Sequence, residues 1–390
     1  MNKDEKNYQF ATKAIHSGQE PDSATGAVIG PIYATSTYAQ ESPGIFKGYD
    51  YSRTSNPTRK SLEVCMADLE AGGAGFAFAS GMAATATILE LLDSGDHLIS
   101  MDDVYGGTYR LFENVRKRSA GIEFSFANLS DPESLLANLQ ENTKMIWVES
   151  PSNPLLKIVD LGGVSAFAKE HGLITVCDNT FCSPYIQKPL ELGFDLVVHS
   201  ATKYLNGHSD VVGGIAVCSS QRSDLAEDLG FLSNSIGSIM SPFDSFLVLR
   251  SLKTLPVRMQ QHCANASLVA SFLQSHAGIK KVYYPGLSDH PNHAVAKSQM
   301  NGFGGMVTAV LKGGLGSAKK FLERTELFTL AESLGGVESL IEHPATMTHA
   351  SIPPEIRKAL GIDDGLVRLS VGIEAVDDLI EDLDNALLNL

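Results

Sequence analysis

Leu196-Val-Val-His-Ser-Ala-Thr-Lys-Tyr-Leu-Asn-Gly-His-Ser-Asp210 is the stretch on which the reading of this chain turns. Its first part is an apolar run of strand length, and its second part is polar with a single lysine, Lys203. A lysine meant for solvent usually sits on a helix face among other charges. Lys203 instead follows directly on a buried strand, in the company of Ser200 and Thr202, whose hydroxyls suit a phosphate. One strand earlier, Leu173-Ile-Thr-Val-Cys-Asp178 ends in an acid, followed by Asn179 and Thr180. Strands apolar on both faces belong to a mostly parallel sheet covered by helices on both sides. Ligands in such sheets gather at the carboxyl ends of the strands, which places Lys203 and Asp178 before one ligand.

Working outward, short apolar runs alternate with helical stretches: 76–79 then 83–92, 97–100 then 108–115, 122–126 then 132–139. The alternation continues with 145–148, a helix near 164–169, and 174–177, so the chain reads as α/β. Upstream, Asn56 is a cap and Pro57 suits a first helical turn. Leu62, Cys65, Met66 and Leu69 share one face until Gly72 and Gly73 end the helix. The first fifty or so residues carry turn formers such as Gly26, Gly30, Pro31, Pro43, Gly44 and Gly48, which predicts an extended arm in need of a surface to lie on. Beyond about Leu255 the texture changes to a long helix over 257–273, β-like runs at 305–311 and 366–371, and a closing helix over 376–388. The predicted organisation is therefore an arm (1–55), a large α/β domain (56–255) and a smaller α+β domain (256–390).

Composition narrows the function. At 390 residues and 43% apolar content, the chain has enough material for a large core. A formal charge of −15 repels phosphate backbones, and no Lys/Arg run reverses it locally, so nucleic acid is not an expected partner. No stretch of some 18 apolar residues is present and residues 1–8 are polar, so no membrane association is expected and the cytoplasm is the predicted location. The five cysteines, Cys65, Cys177, Cys182, Cys218 and Cys263, suit a reducing compartment and read as buried structural thiols. Cys177 and Cys182 lack a second pair, and no metal is expected.

A lysine and a carboxylate facing one ligand fit pyridoxal 5′-phosphate (PLP), which needs an amine to attach to and an acid to keep its ring nitrogen protonated. An Asp at a strand end equally caps turns, so its pairing with Lys203 is what gives it weight. Phe76-Ala-Phe-Ala-Ser-Gly-Met82 runs from a strand into a helix start, where backbone N–H groups meet a phosphate and Gly81 permits close approach. Tyr105, in Asp102-Asp-Val-Tyr-Gly-Gly107, has a ring that can stack on a flat cofactor or simply pack.

Together these segments resemble the Cys/Met-metabolism PLP-dependent enzymes, a family that includes cystathionine γ-lyases, γ-synthases and β-lyases and methionine γ-lyases. The resemblance spans nearly the whole chain. It rests on Tyr49-Asp-Tyr-Ser-Arg53, Asn56-Pro-Thr-Arg59, Ala79-Ser-Gly-Met-Ala83, Asp103-Val-Tyr-Gly-Gly107, Glu149-Ser-Pro-Ser-Asn-Pro154, Asp178-Asn-Thr180 and Ser200-Ala-Thr-Lys-Tyr204. Further on it includes Leu330-Ala-Glu-Ser-Leu-Gly-Gly336, Met347-Thr-His349 and Val367-Arg-Leu-Ser-Val-Gly372. What the resemblance implies is a type I PLP-dependent fold, with a seven-stranded type of sheet in the large domain. It implies that Lys203 bears PLP and acts as the catalytic base, that Asp178 pairs with the ring nitrogen, and that Tyr105 stacks on the ring and is also catalytic. Gly81, Met82, Ser200 and Thr202 then hold the phosphate, helped by Tyr51 and Arg53 from a neighbouring subunit. The implied assembly is a homotetramer of two tight dimers with shared sites. Asn153, Ser333 and Arg368 match the substrate-carboxylate positions, and Glu332 matches an acid that meets a distal ammonium.

Within the family, Gly107 and Glu332 stand where methionine γ-lyases usually have Cys and a small apolar residue, which disfavours that activity. The segments Phe231-Leu-Ser-Asn-Ser-Ile-Gly237, Ser241-Pro-Phe-Asp244 and Leu252-Lys-Thr-Leu255 look more like γ-lyases than synthases. The expected reaction is therefore α,γ-elimination of a cystathionine-like sulfur amino acid, with γ-replacement by a synthase as the alternative. A nicotinamide dehydrogenase shares the sheet type but requires a Gly-x-Gly-x-x-Gly turn, which 76–83 does not contain.

Overall fold

The structure is a computed structural model that describes residues 8–350, 353–388 and 390. Seven strands form the large sheet: β1 (Ala74–Phe78), β2 (His97–Met101), β3 (Glu123–Ala127), β4 (Thr143–Glu149), β5 (Ile174–Asp178), β6 (Leu196–Ser200) and β7 (Gly214–Cys218). Their spatial order is β1-β7-β6-β5-β4-β2-β3. All neighbouring pairs are parallel except those made by β7, which runs antiparallel between β1 and β6. The predicted mostly parallel sheet is thus present with an inserted reversed strand that the sequence reading did not include. Gly214-Ile-Ala-Val-Cys218 is short and wholly buried, and alternation of helices and strands gives no hint of a strand that returns without a helix.

The predicted helix at Asn56 forms as Pro57–Leu69. Asn56 Oδ1 accepts from the N–H groups of Thr58 and Arg59 at 3.0 and 3.3 Å. Its Nδ2 donates to Tyr33 O at 2.9 Å, so the cap also fastens the preceding arm. Leu62, Cys65, Met66 and Leu69 are fully buried, as their spacing predicts. The arm is less extended than expected: Phe10–His16 is helical and docks through buried Ala14, a Lys13–Asp68 ion pair of 2.7 Å and an edge-on contact of Phe10 with Tyr185. Between them, Val28, Ile29, Ile32, Tyr33, Ile45 and Phe46 all face outward, Val28 at 78% exposure.

The C-terminal part carries a second sheet of five strands: β8 (Ile279–Tyr283), β9 (Met306–Leu311), β10 (Thr329–Leu330), β11 (Leu340–Glu342) and β12 (Leu366–Ser370), in the order β8-β9-β12-β11-β10. Only β9 and β12 were legible as strands beforehand. The long helix Leu255–Ser275 and the closing helix Val376–Leu387 cover this sheet; Leu379, Leu383, Ala386 and Leu387 supply the buried stripe of the latter. Four of the five cysteines are buried, Cys263 is partly so, and all five are free thiols. No helix among the described residues is long and apolar enough to cross a membrane.

Candidate active site

The carboxyl ends of β4, β5 and β6 open onto a cleft of about 290 Å3. Each strand delivers a polar residue at its last position: Glu149, Asp178 and Ser200. Glu149 and Asp178 are register partners on adjacent parallel strands. The cleft brings together Gly81, Met82, Tyr105, Asn153, Asp178, Ser200, Thr202, Lys203, Glu332, Ser333 and Arg368, all anticipated from sequence. Tyr51 and Arg53 are not among its lining residues. Arg53 reaches Asn234 of its own chain at 3.0 Å and lies over the exposed Tyr51 ring at 5.5 Å.

Lys203 follows β6 in a turn, and its Nζ donates to Ser333 Oγ at 2.6 Å. Burial, and after it the nearby Arg368 cation, pull its amine down to about 8, while Glu342 and Glu332 oppose the fall. Ser333 itself holds φ at 98°, a conformation that costs an L-residue energy and therefore has to be held by its surroundings. Asp178 Oδ1 accepts from Thr180 N–H at 3.0 Å, so the turn-capping reading is also realised. Burial raises its carboxyl above the usual range.

Opposite Asp178, the helix Gly81–Ile88 starts at the cleft. Ser80 Oγ accepts from Ala83 N–H at 3.0 Å, leaving the N–H groups of Gly81 and Met82 with no partner inside the helix. A β-carbon on Gly81 would lie 2.9 Å from Ser200 Cβ, so only glycine lets this helix start sit against the end of β6. Gly214 on β7 is under the same constraint, since a β-carbon there would lie 2.1 Å from Ser80 O. Helix start, Ser200 and Thr202 together form a set of donors that could hold a phosphate, with a lysine beside it. This donor set fits PLP.

The small sheet contributes the cation. Arg368, on β12, is 2% exposed and donates through Nη1 to Asn153 Oδ1 at 2.8 Å and through Nη2 to Ser333 O at 3.1 Å. A guanidinium so held is suited to a planar carboxylate. Glu332 is exposed at the mouth. Tyr105, 41% exposed, caps the short helix Gly106–Tyr109, and its ring fills the space over Gly107, where a β-carbon would come within 2.4 Å of Cε1.

The family model for Cys/Met metabolism PLP-dependent enzymes matches residues 11–388. The chain belongs to that family. Cystathionine β-lyase of Coxiella burnetii (strain RSA 493 / Nine Mile phase I) is 63% identical over 382 residues, covering 98% of both chains. Cystathionine γ-lyase of Bacillus subtilis (strain 168) is 52% identical over 382 residues, with 97% of this chain and 99% of the relative covered. Among solved structures, cystathionine γ-lyase from Lactobacillus plantarum complexed with L-serine has a TM-score of 0.94 at 48% identity, covering 97% of this chain and 98% of that one. The chain is thus a PLP-dependent enzyme of the lyase type, and PLP is its cofactor.

Three residues in or behind the cleft, with no role in the sequence reading, bear on its chemistry. Glu149 accepts from Tyr105 N–H at 2.9 Å, and burial, with Asp178 alongside, holds its carboxyl well above the usual range. Thr348 lines the cleft, and Glu342 stands behind Arg368 at 2.8 Å. Glu149 and Thr348 fall inside motifs quoted above. Glu342 falls in none, and its only signal is an acid on an otherwise apolar Leu340-Ile-Glu342 strand.

Proposed function

We propose that this enzyme is a cystathionine γ-lyase, converting L-cystathionine to L-cysteine, 2-oxobutyrate and ammonia. The observation that supports it most is Lys203, a part-buried amine drawn down to about 8 that shares a cleft with an acid and with Arg368, whose fork suits a carboxylate. When bound, PLP supplies an electron sink that eases loss of a proton beside the substrate's amino group.

The chain's residues do the rest. Lys203 takes the Cα proton once its amine is neutral, which the lowered proton affinity allows near neutral pH. Loss of a γ-substituent needs a second proton shift, from Cβ, and the same amine would make it. Asp178 would face the ring nitrogen and Tyr105 would stack on the ring, while Gly81, Met82, Ser200 and Thr202 would hold the phosphate. Arg368, Asn153 and Ser333 would bind the α-carboxylate, and Glu332 at the mouth would meet the distal ammonium.

The exposed arm supports a shared site in which Tyr51 and Arg53 serve a neighbouring subunit of a homotetramer. The division into arm (1–55), α/β domain (56–255) and C-terminal domain (256–390) belongs to the same reading, as does a cytoplasmic location. The name of the Coxiella burnetii relative favours a second reading, β-elimination, which gives homocysteine, pyruvate and ammonia. Incubation with cystathionine separates the two: 2-oxobutyrate with cysteine supports the γ reaction, and pyruvate with homocysteine overturns it. Efficient synthesis of cystathionine from an O-acylhomoserine and cysteine, with little lysis, overturns it in favour of a synthase.

A further inference from the structure

Arg368 is nearly inaccessible, and a buried cation is tolerated only where partners replace its hydration. Its neighbour across the antiparallel β11–β12 pair is Glu342, in direct register and 1% exposed. Glu342 Oε1 forms an ion pair with Arg368 Nη2 at 2.8 Å. Thr348 Oγ1 donates to the same oxygen at 2.9 Å, so that oxygen is gripped from two sides. Nη2 is thus paired with Glu342 by charge and donates to Ser333 O. Nη1 gives one of its two to Asn153, and Nε has no partner. The guanidinium is thereby held between Glu342, Ser333 and Asn153.

We propose that Glu342 is a positioning residue for substrate recognition: by holding Arg368 from behind, it sets the orientation in which the guanidinium receives the α-carboxylate of an amino acid. This rests on the reading of Arg368 as the carboxylate site. The pair has no net charge, so the carboxylate is recognised by directed hydrogen bonds more than by bulk attraction. Position, not charge, is what Glu342 contributes. The second oxygen, Oε2, makes no hydrogen bond among the described residues, so an amide keeps the Thr348 contact to Oε1 and gives up only the charge.

Two variants separate position from charge. Glu342→Gln keeps an oxygen at the position of Oε1 and removes the charge; Glu342→Asp keeps the charge and withdraws it by one methylene. The PLP-loaded protein is titrated with glycine, which has a carboxylate but no leaving group, and binding is read from the change in visible absorption. Glu342→Gln is expected to bind glycine within about threefold of the parent, and Glu342→Asp about tenfold more weakly. With cystathionine, Glu342→Asp should raise KM with little change in kcat, and it should add nothing in an Arg368→Ala background. Equal weakening in both variants, an unaffected Glu342→Asp, or additivity with Arg368→Ala overturns the proposal. If Arg368→Ala itself leaves glycine binding unchanged, the carboxylate reading fails instead.

Discussion

Lys203 and Ser333 meet at 2.6 Å, and the carbonyl of the same serine accepts from Arg368, so one strained residue joins the amine of the large sheet to the cation of the small one. An oxygen that accepts from an ammonium favours its charged form. Attachment of an aldehyde needs the neutral amine, so PLP uptake by the cofactor-free protein should accelerate as pH rises through about 8. Ser333→Ala removes the acceptor and should move that midpoint to lower pH. Stopped-flow absorbance at a series of pH values measures both. Lys203→Ala should show no covalent uptake at any pH, and a variant that retains it would reject the assignment of Lys203.

Gly81 offers a test of the phosphate cradle. A methyl group there collides with Ser200 Cα and Cβ, at 3.0 and 2.9 Å, and must push the helix start away from β6. Glycine-to-alanine replacement is expected to weaken PLP binding by about tenfold or more, since the N–H groups lose their aim. Equilibrium dialysis against PLP, with the melting temperature as a folding control, gives the answer.

Glu149 is expected to serve through its hydrogen bond to Tyr105 N–H more than through a charge. Its carboxyl is held above the usual range by burial and by Asp178 beside it, and its one recorded duty is to accept from Tyr105 N–H. Glu149→Gln preserves that acceptor, so kcat/KM should stay within about threefold of the parent. Glu149→Ala leaves the Tyr105 N–H unpaired and should cost about 1–3 kcal/mol of stability. Urea melts and steady-state rates on the two variants decide.

His262 and His349 predict the response to acid. Burial lowers both to about 4, and each uses a ring nitrogen on a backbone carbonyl, Val371 O and Asn153 O respectively. A depressed folded value means that the unfolded chain takes up the proton first. Their contribution is complete above about 6.5 and is lost as pH falls towards 4, by about 3 kcal/mol for each group. Urea midpoints at pH 7, 5.5 and 4 should fall accordingly, with a shallower fall in His262→Gln.

The sequence displays some parts of this molecule and hides others for physical reasons. Lys203 and Asp178 were visible because buried strands that end in polar residues break the apolar pattern abruptly. Helix Pro57–Leu69 was visible because its cap, its proline and its apolar spacing agree. β7 was hidden because a fully buried five-residue strand has no alternation to betray its direction. The strand that carries Glu342 is three residues long, too short for a period, and the value of that acid lies in a partner 26 positions away across the register Glu342 to Arg368. Helix Phe10–His16 was read as arm because seven residues hold few apolar positions; its stability comes from Asp68 and Tyr185, which only the fold brings near.

The space beneath the Tyr105 ring is set by an absence, the missing β-carbon of Gly107. Any side chain at that position takes the seat the ring now uses, so residue 107 and the pose of Tyr105 form a single unit of inheritance. A larger residue at 107 therefore requires the exposed Tyr105 ring to shift.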